Sequence, residues 1–271
     1  MSLRPKKPAA RHGLRGNCAG TTDGKMSTTN CPPIVRCNDH AFYLDLDGTL
    51  AEIVARPEQA MISAGMRGLI TQLAAQTSGA VAIVSGRALA DVDRVLHPLH
   101  LPVAGSHGQE LRGAGPTDQG SARDGIDDDA LHRITTFAAR LGLLAERKPG
   151  SVALHYRSAP QHVAASRALI DSLVARDDRY RAIHGKMVSE LALRACDKGT
   201  AIAALSKVAP FAGRVPVMIG DDVTDEDGFR MAQALGGLGI KIGTGPTDAS
   251  HRLASVAALS DWLAALLCAQ K

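Results

Sequence analysis

The stretch FYLDLDGTLAEI, residues 42–53, sets two aspartates against the end of an apolar run. Ala41 to Leu44 reads as a short buried strand, and Gly48 lets the chain turn sharply after it. Residues i and i+2 of a strand point the same way, so Asp45 and Asp47 can reach one spot. Two readings stand. The pair is a polar turn with both carboxylates solvated, or it is a site that needs two acids on one patch. Such a site suits a hard cation such as Mg²⁺, or a nucleophile with an acid/base partner.

Outward from this strand the chain alternates. AGMRGLITQLAAQ (64–76) has the spacing of an amphipathic helix, AVAIVSG (80–86) is an apolar strand ended by Gly, and ALADVDRVL (88–96) is helical again. LPVAGSHG (101–108) is a short strand running into a turn. This order predicts a parallel sheet covered by helices. The pattern then changes. GQELRGAGPTDQGSARDG (108–125) is polar and Gly-rich, and DDDALHRITTFAARLGLLA (127–145) reads as a helix. Its opening acids are best explained as a cap and a favourable charge at the helix dipole. SVALHYRS (151–158) alternates like a half-exposed strand, PQHVAASRALIDSLVAR (160–176) is a helix, and YRAIHG with KMVSELAL (180–193) forms a strand hairpin. The alternation resumes with GTAIAALSKVA, VPVMIGDD, DEDGFRMAQAL, GIKIGTG and the closing helix SVAALSDWLAALLCA, in which Trp262 is a core anchor. The whole predicts an α/β fold, a Rossmann-like parallel sheet core split by an inserted α+β domain.

In open α/β sheets, sites form past the C-terminal ends of the strands. Three such ends besides Asp45–Thr49 carry functional groups. Ser85-Gly86-Arg87 offers a hydroxyl and backbone amides at a helix start, a cradle for an anion or simply a cap. Asp197-Lys198-Gly199 puts a point cation before a helix, where most lysines are solvated. Gly220 to Asp227 holds five acids in eight residues. A helix start explains Glu226 and Asp227, but Asp221 ends an apolar strand, and a divalent cation would relieve the repulsion there.

Bulk properties narrow the function classes. The 271 residues carry a net charge of +4, biased by Arg4, Lys6, Lys7, Arg11 and Arg15 near the N-terminus. No basic stripe interleaved with aromatics follows, which argues against nucleic acid. Five cysteines occur without a CxxC, against a disulfide framework or zinc site and in favour of a reducing cytoplasm. No run has the length of a membrane span, and the N-terminus lacks the apolar region of a secretory signal. Residues 1–36 read as a flexible extension.

Taken in order, DxDGT, SGR, DKG and GDDxTDED resemble the haloacid dehalogenase-like phosphatases. More narrowly, LDLDGTL (44–50), VSGR (84–87), GSHGQELR (105–112), KPGSVALHYR (148–157), GKMVSELAL (185–193), DKGTAI (197–202) and GDDVTDEDGF (220–229) are similar to the trehalose-6-phosphate phosphatases, over about residues 40–245. The resemblance implies an HAD-like core of residues 37–109 and 196–271 with a cap domain of residues 110–195. It also implies a phosphoric monoester hydrolase. Asp45 would be the nucleophile that becomes an aspartyl phosphate, and Asp47 the acid and then the base. Ser85 and Lys198 would hold the phosphoryl oxygens. Mg²⁺ would be bound by Asp45, the Asp47 carbonyl and Asp221, with Asp222 and Asp225 supporting from outside. Arg87, His107, Glu110, Arg157, Lys186 and Glu190 would touch the substrate. Where the family often continues with Arg-Pro after the equivalent of Glu190, this chain has Leu191-Ala192-Leu193-Arg194. The implied partner is a small-molecule sugar phosphate, trehalose 6-phosphate first and a sucrose 6-phosphate or mannosyl-3-phosphoglycerate type as the alternative. A cytoplasmic monomer without nucleic-acid or membrane partners is expected.

Overall fold

The computed structural model describes residues 31–54, 56–113, 125–185 and 187–270. The larger sheet is built from β1 (His40–Leu44), β2 (Val81–Val84), β3 (Val103–Gly105), β4 (Glu110–Arg112), β9 (Val215–Gly220), β10 (Leu238–Ile242) and β11 (His251–Leu253). Their order is β11-β10-β9-β1-β2-β3-β4. All neighbours are parallel except β3 and β4. The strands β1, β2 and β9 are apolar on both faces because helices cover both. On one face Met66, Ile70 and Leu73 of α1 (Ala64–Gln76), Val92 and Val95 of α2 (Leu89–Leu96), and Leu259, Trp262 and Leu263 of α7 (Val256–Cys268) pack against Phe42, Leu44 and Ile83. On the other, Ala201, Ile202 and Leu205 of α5 (Lys198–Leu205) and Phe229 and Ala232 of α6 (Asp225–Ala234) pack against Tyr43, Val84 and Met218. The chain runs from β1 to β2 on one side and reaches β9 on the other. The C-terminal end of β1 is therefore the switch point where such sheets open a crevice.

A four-stranded antiparallel sheet stands apart, in the order β5 (Leu144–Lys148), β6 (Ser151–His155), β8 (Val188–Leu193), β7 (Tyr180–Gly185). Helices α3 (Asp128–Leu141) and α4 (Val163–Val174) cover one face through Ile134, Ala138, Ile170 and Leu173 on Val152, Leu154 and Leu191. The pairing register lines up Glu146, Ala153, Glu190 and Ile183 across the sheet, and beside them Lys148, Ser151, Ala192 and Arg181. By strand alternation these two rows share the face opposite the helices. Among the described residues no helix is long and apolar enough to cross a membrane.

The structure departs from the sequence reading in four places. The helix expected to reach Ala145 stops at Leu141, because Gly142 takes φ +65 and closes it, and the next residues form β5. Asp127 caps that helix by accepting from the Ala130 amide, as its acid run suggests. The strand SVALHYRS is buried from Ser151 to Leu154 rather than half exposed, since it lies inside the sheet between β5 and β8. Residues 110–112, placed by expectation with the inserted domain, pair as β4 with β3 of the larger sheet. Residues 1–30 of the expected extension lie outside the described residues, whereas Pro32 and Val35 accept hydrogen bonds from Trp262 Nε1 and Gln270 Nε2.

Candidate active site

The carboxyl end of β1 carries Asp45, whose amide donates to Ile219 O of β9, so two strands fix its backbone. Lys198 opens α5, where Asp197 and Thr200 form a reciprocal capping box. Its ammonium reaches Asp45 Oδ1 and Asp225 Oδ1, each at 2.6 Å, and all three side chains are buried. A cation at a helix N-terminus opposes the dipole, so the two carboxylates must offset that as well as desolvation. Burial alone would lower the Lys198 pKa, and Asp225 and Asp45 reverse this and raise it.

Asp221 follows β9 and turns its carboxylate onto Gly48. A Cβ built on Gly48 would lie 2.1 Å from Asp221 Oδ2, and Gly48 has φ +81. The glycine therefore serves both the turn and the close approach of the second acid. Asp225 is fully buried at the start of α6 and also accepts from the Asp222 amide at 2.9 Å. Oxygens of Asp45, Asp221 and Asp225 lie within 4.8 Å of one another. Burial, aided by Asp225 and Asp222, pushes the Asp221 carboxyl up to about 7. Asp45 is raised well above the carboxylate range, first by burial and then by Asp225 and Asp221, with Lys198 working against the shift. Asp221 Oδ1 is buried with no hydrogen-bond partner. Three hard oxygen donors, mutual repulsion and an orphaned buried carboxylate oxygen fit a small divalent cation such as Mg²⁺.

Asp47 lies outside this cluster. Both its oxygens accept from Arg87, Nε to Oδ2 at 2.6 Å and a terminal nitrogen to Oδ1 at 2.7 Å. Arg87 follows β2, beside the buried Ser85, whose hydroxyl accepts from the Arg87 amide at 3.2 Å. His107 takes φ 57, and its ring lies where a Cβ on Gly86 would be, 2.6 Å away. That ring faces Glu190 of β8, with Nε2 to Oε1 at 3.8 Å, too long for a hydrogen bond. Burial acts to raise the Glu190 pKa, but His107 and Lys148 outweigh it and bring it to about 2. His107 Nδ1 and Glu190 Oε1 are both buried without partners.

Apart from the fully buried Asp225, these groups line one cavity of about 690 Å³, in the size range of small-molecule sites. Asp45, Asp47, Ser85, Arg87, Lys198, Asp221 and Asp222 wall it from the larger sheet. His107, Arg157 and Glu190 line it as well. Glu110 does not: its carboxylate accepts from Ser106 Oγ at 2.7 Å and from the Leu89 amide, which turns it toward the start of α2. Lys186 lies outside the described residues. Asp225, expected to support from outside, contributes an oxygen to the acid cluster itself. The sequence reading missed Glu146, Lys148 and His155, which also line the cavity. Here His155 Nε2 meets Glu146 Oε2 at 2.9 Å, and Lys148 lies 3.6 Å from the same oxygen. The alternation of LAERK (144–148) against HYR (155–157) was the available signal, hidden because it ran on from a helix.

Comparison with known proteins agrees with this geometry. The model of the trehalose-phosphatase family matches residues 43–260. The trehalose-6-phosphate phosphatase of Escherichia coli (strain K12) is 41% identical over 226 residues, which cover 83% of this chain and 85% of that protein. Two solved structures share the fold. The C-terminal domain of the C. albicans trehalose-6-phosphate phosphatase has a TM-score of 0.75 at 20% identity, covering 89% of this chain and 99% of its own. A haloacid dehalogenase-like hydrolase from B. subtilis has a TM-score of 0.61 at 14% identity, covering 83% and 99%.

Proposed function

The chain belongs to the trehalose-phosphatase family of phosphoric monoester hydrolases, and on that footing we propose that it hydrolyses trehalose 6-phosphate to trehalose and phosphate through an aspartyl phosphate. The observation that carries the reading is Lys198 bridging Asp45 and Asp225 beside Asp221, at the floor of a cavity large enough for a disaccharide.

An oxygen of Asp45 attacks phosphorus, and the bond from phosphorus to the sugar oxygen breaks. Asp47 gives its proton to that leaving oxygen. Water then attacks phosphorus, passes a proton to Asp47, and the bond from phosphorus to Asp45 breaks. Lys198 holds Asp45 in place and faces the phosphoryl oxygens as a fixed cation, with the Ser85 hydroxyl beside it. Mg²⁺, held by Asp45, the Asp47 carbonyl and Asp221 with Asp225 adjoining, would neutralise charge on the phosphoryl group. Both Asp47 oxygens accept from Arg87, which fixes the orientation of this carboxyl at the cavity wall.

The four-stranded sheet with α3 and α4 is the cap. Its face carrying Glu146, Lys148, His155 and Glu190 supplies hydroxyl-binding acids and bases opposite the phosphate, as recognition of a polyol requires. His107 reaches Glu190 from the core side, with Nε2 3.8 Å from Oε1, so both residues stand at the cavity wall where sugar hydroxyls would bind. We place the enzyme in the cytoplasm, consistent with its free cysteines Cys37, Cys196 and Cys268, and expect a monomer. Phosphate release from a panel of trehalose 6-phosphate, sucrose 6-phosphate and mannosyl-3-phosphoglycerate, with Mg²⁺ and with chelator, tests the proposal. Preferred release from trehalose 6-phosphate that stops with chelator is expected. Preference for another member of the panel overturns the substrate, and activity in chelator overturns the cation.

A further inference from the structure

The four-stranded unit must hold a defined pose over the acid cluster if its face is to present Glu146, Lys148 and Glu190 to a bound sugar. The returning chain crosses between β8 and α5 over Arg194 to Asp197. On the side of the smaller sheet this crossing is gripped by main-chain acceptors. Arg194 donates to Asp178 O and to Tyr180 O, each at 3.0 Å, so the crossing is stitched to the start of β7. On the side of the larger sheet it ends in the Asp197–Thr200 capping box.

One side chain spans the two. Arg181 of β7 lies in the same cross-strand row as Lys148, Ser151 and Ala192, on the substrate-facing side. Its guanidinium leaves that sheet and donates to Asp227 Oδ2 of α6 at 2.5 Å and to Cys196 O in the crossing at 3.3 Å. The fork thus holds a strand, the crossing and a core helix at one point. Asp227 is braced in turn. Its other oxygen accepts from Arg230 at 2.5 Å, and Arg230 reaches Asp248 at 2.6 Å. Its carbonyl lies where a Cβ on Gly199 would be, 2.6 Å away, so α6 and α5 are locked together directly under the Arg181 contact. Arg181 and Asp227 are each less than a quarter exposed, so their pairing is partly shielded from water and more than a loose surface contact.

We propose that Arg181 is a positioning residue of this phosphatase, the pin that sets the cap's angle on the core through Asp227 and so places the sugar-facing row. This rests on the phosphatase reading above. The chemistry does not pass through it, because Lys198, Asp45, Asp225 and the Asp222 amide bond to one another independently. Loss of the pin therefore impairs a substrate that the cap must hold and spares one that it does not.

The test uses the full chain with Mg²⁺ and two substrates, trehalose 6-phosphate and the small p-nitrophenyl phosphate. Arg181→Met lowers kcat/KM for the sugar phosphate at least about tenfold, chiefly through KM, and leaves p-nitrophenyl phosphate within about twofold. Arg181→Lys, which keeps one donor, recovers part of the loss. Asp227→Asn combined with Arg181→Met is no worse than Arg181→Met alone, as a shared contact requires. Small-angle scattering of the substrate-free Arg181→Met protein shows a larger radius of gyration than wild type. Equal loss on both substrates, no selective loss, or an unchanged scattering profile overturns the pin. If the wild type releases no phosphate from either substrate, the phosphatase reading fails, and scattering alone still decides the pin.

Discussion

Replacing Gly48 by alanine isolates the contact on which the acid cluster depends. The new Cβ would lie 2.1 Å from Asp221 Oδ2 and 2.3 Å from its Cγ, whereas real Cβ contacts stay beyond 3.0 Å. Asp221 or the Gly48 turn must therefore shift by about 1 Å, a displacement that can cost about 10²-fold in rate when it misplaces a reacting constellation. Alanine must also hold φ near +81, which costs about 1–2 kcal/mol. For a chain of this size that lowers Tm by about 2–4 °C per kcal/mol. The expected signature is thus lopsided, a modest loss of stability with a fall in kcat of about 10²-fold. A thermal melt followed by circular dichroism measures the first, and phosphate release from trehalose 6-phosphate at Mg²⁺ that saturates the wild type measures the second. Raising Mg²⁺ further recovers part of the rate if Asp221 has moved away from the cation site. Activity within threefold of wild type refutes the reasoning about Asp221.

Other expectations follow from particular contacts. Gly68→Ala, on the exposed side of α1 with nothing near its Cβ, stabilises by about 0.5–1 kcal/mol in a denaturant melt and leaves turnover unchanged. Arg87→Ala frees both oxygens of Asp47 and lowers kcat by about 10²-fold in steady-state assays; an unaltered kcat removes Arg87 from the account. The Glu190 carboxyl, lowered from 4.5 to about 2, contributes stability that is complete above about pH 4.5 and is lost as pH falls toward 2. Wild type should therefore exceed Glu190→Gln at neutral pH, with the gap shrinking in acid; a gap that stays constant in urea melts counts against the lowered Glu190 carboxyl. Asp221, held near 7 without a cation, must lose its proton to bind one, so Mn²⁺ affinity measured by calorimetry tightens as pH rises from about 6 to about 8.

The parts of the fold that announced themselves are those where one interaction decides the local structure. Runs such as AVAIVSG and VPVMIGDD can only be buried strands, and the polar groups that end them mark the crevice. Asp45, Lys198 and Asp221 were legible for that reason, although they come from distant parts of the chain. What stayed hidden depends on tertiary context. Strand β5 continues an apolar helical pattern, and only the left-handed turn at Gly142 separates them. Strand β6 looked half exposed because Ser151 and His155 are polar, yet Ser151 is buried inside the sheet and His155 lines the cavity. Asp225 read as an outer support of the cation site, and nothing local says that the same turn drives it inward against Lys198. Glu110 carries the charge of a ligand-binding group, but strand β4 aims it at the Leu89 amide instead.

In the proposed reaction Asp45 is the group that takes the phosphoryl. Asp45→Asn keeps the shape of the side chain, and its amide oxygen can still accept from Lys198, but it removes the nucleophilic carboxylate. Phosphate release from trehalose 6-phosphate with Mg²⁺, compared between wild type and this variant, is the measurement. Rapid release by wild type and none above background by Asp45→Asn is the predicted result; turnover by the variant at a rate close to wild type contradicts the mechanism.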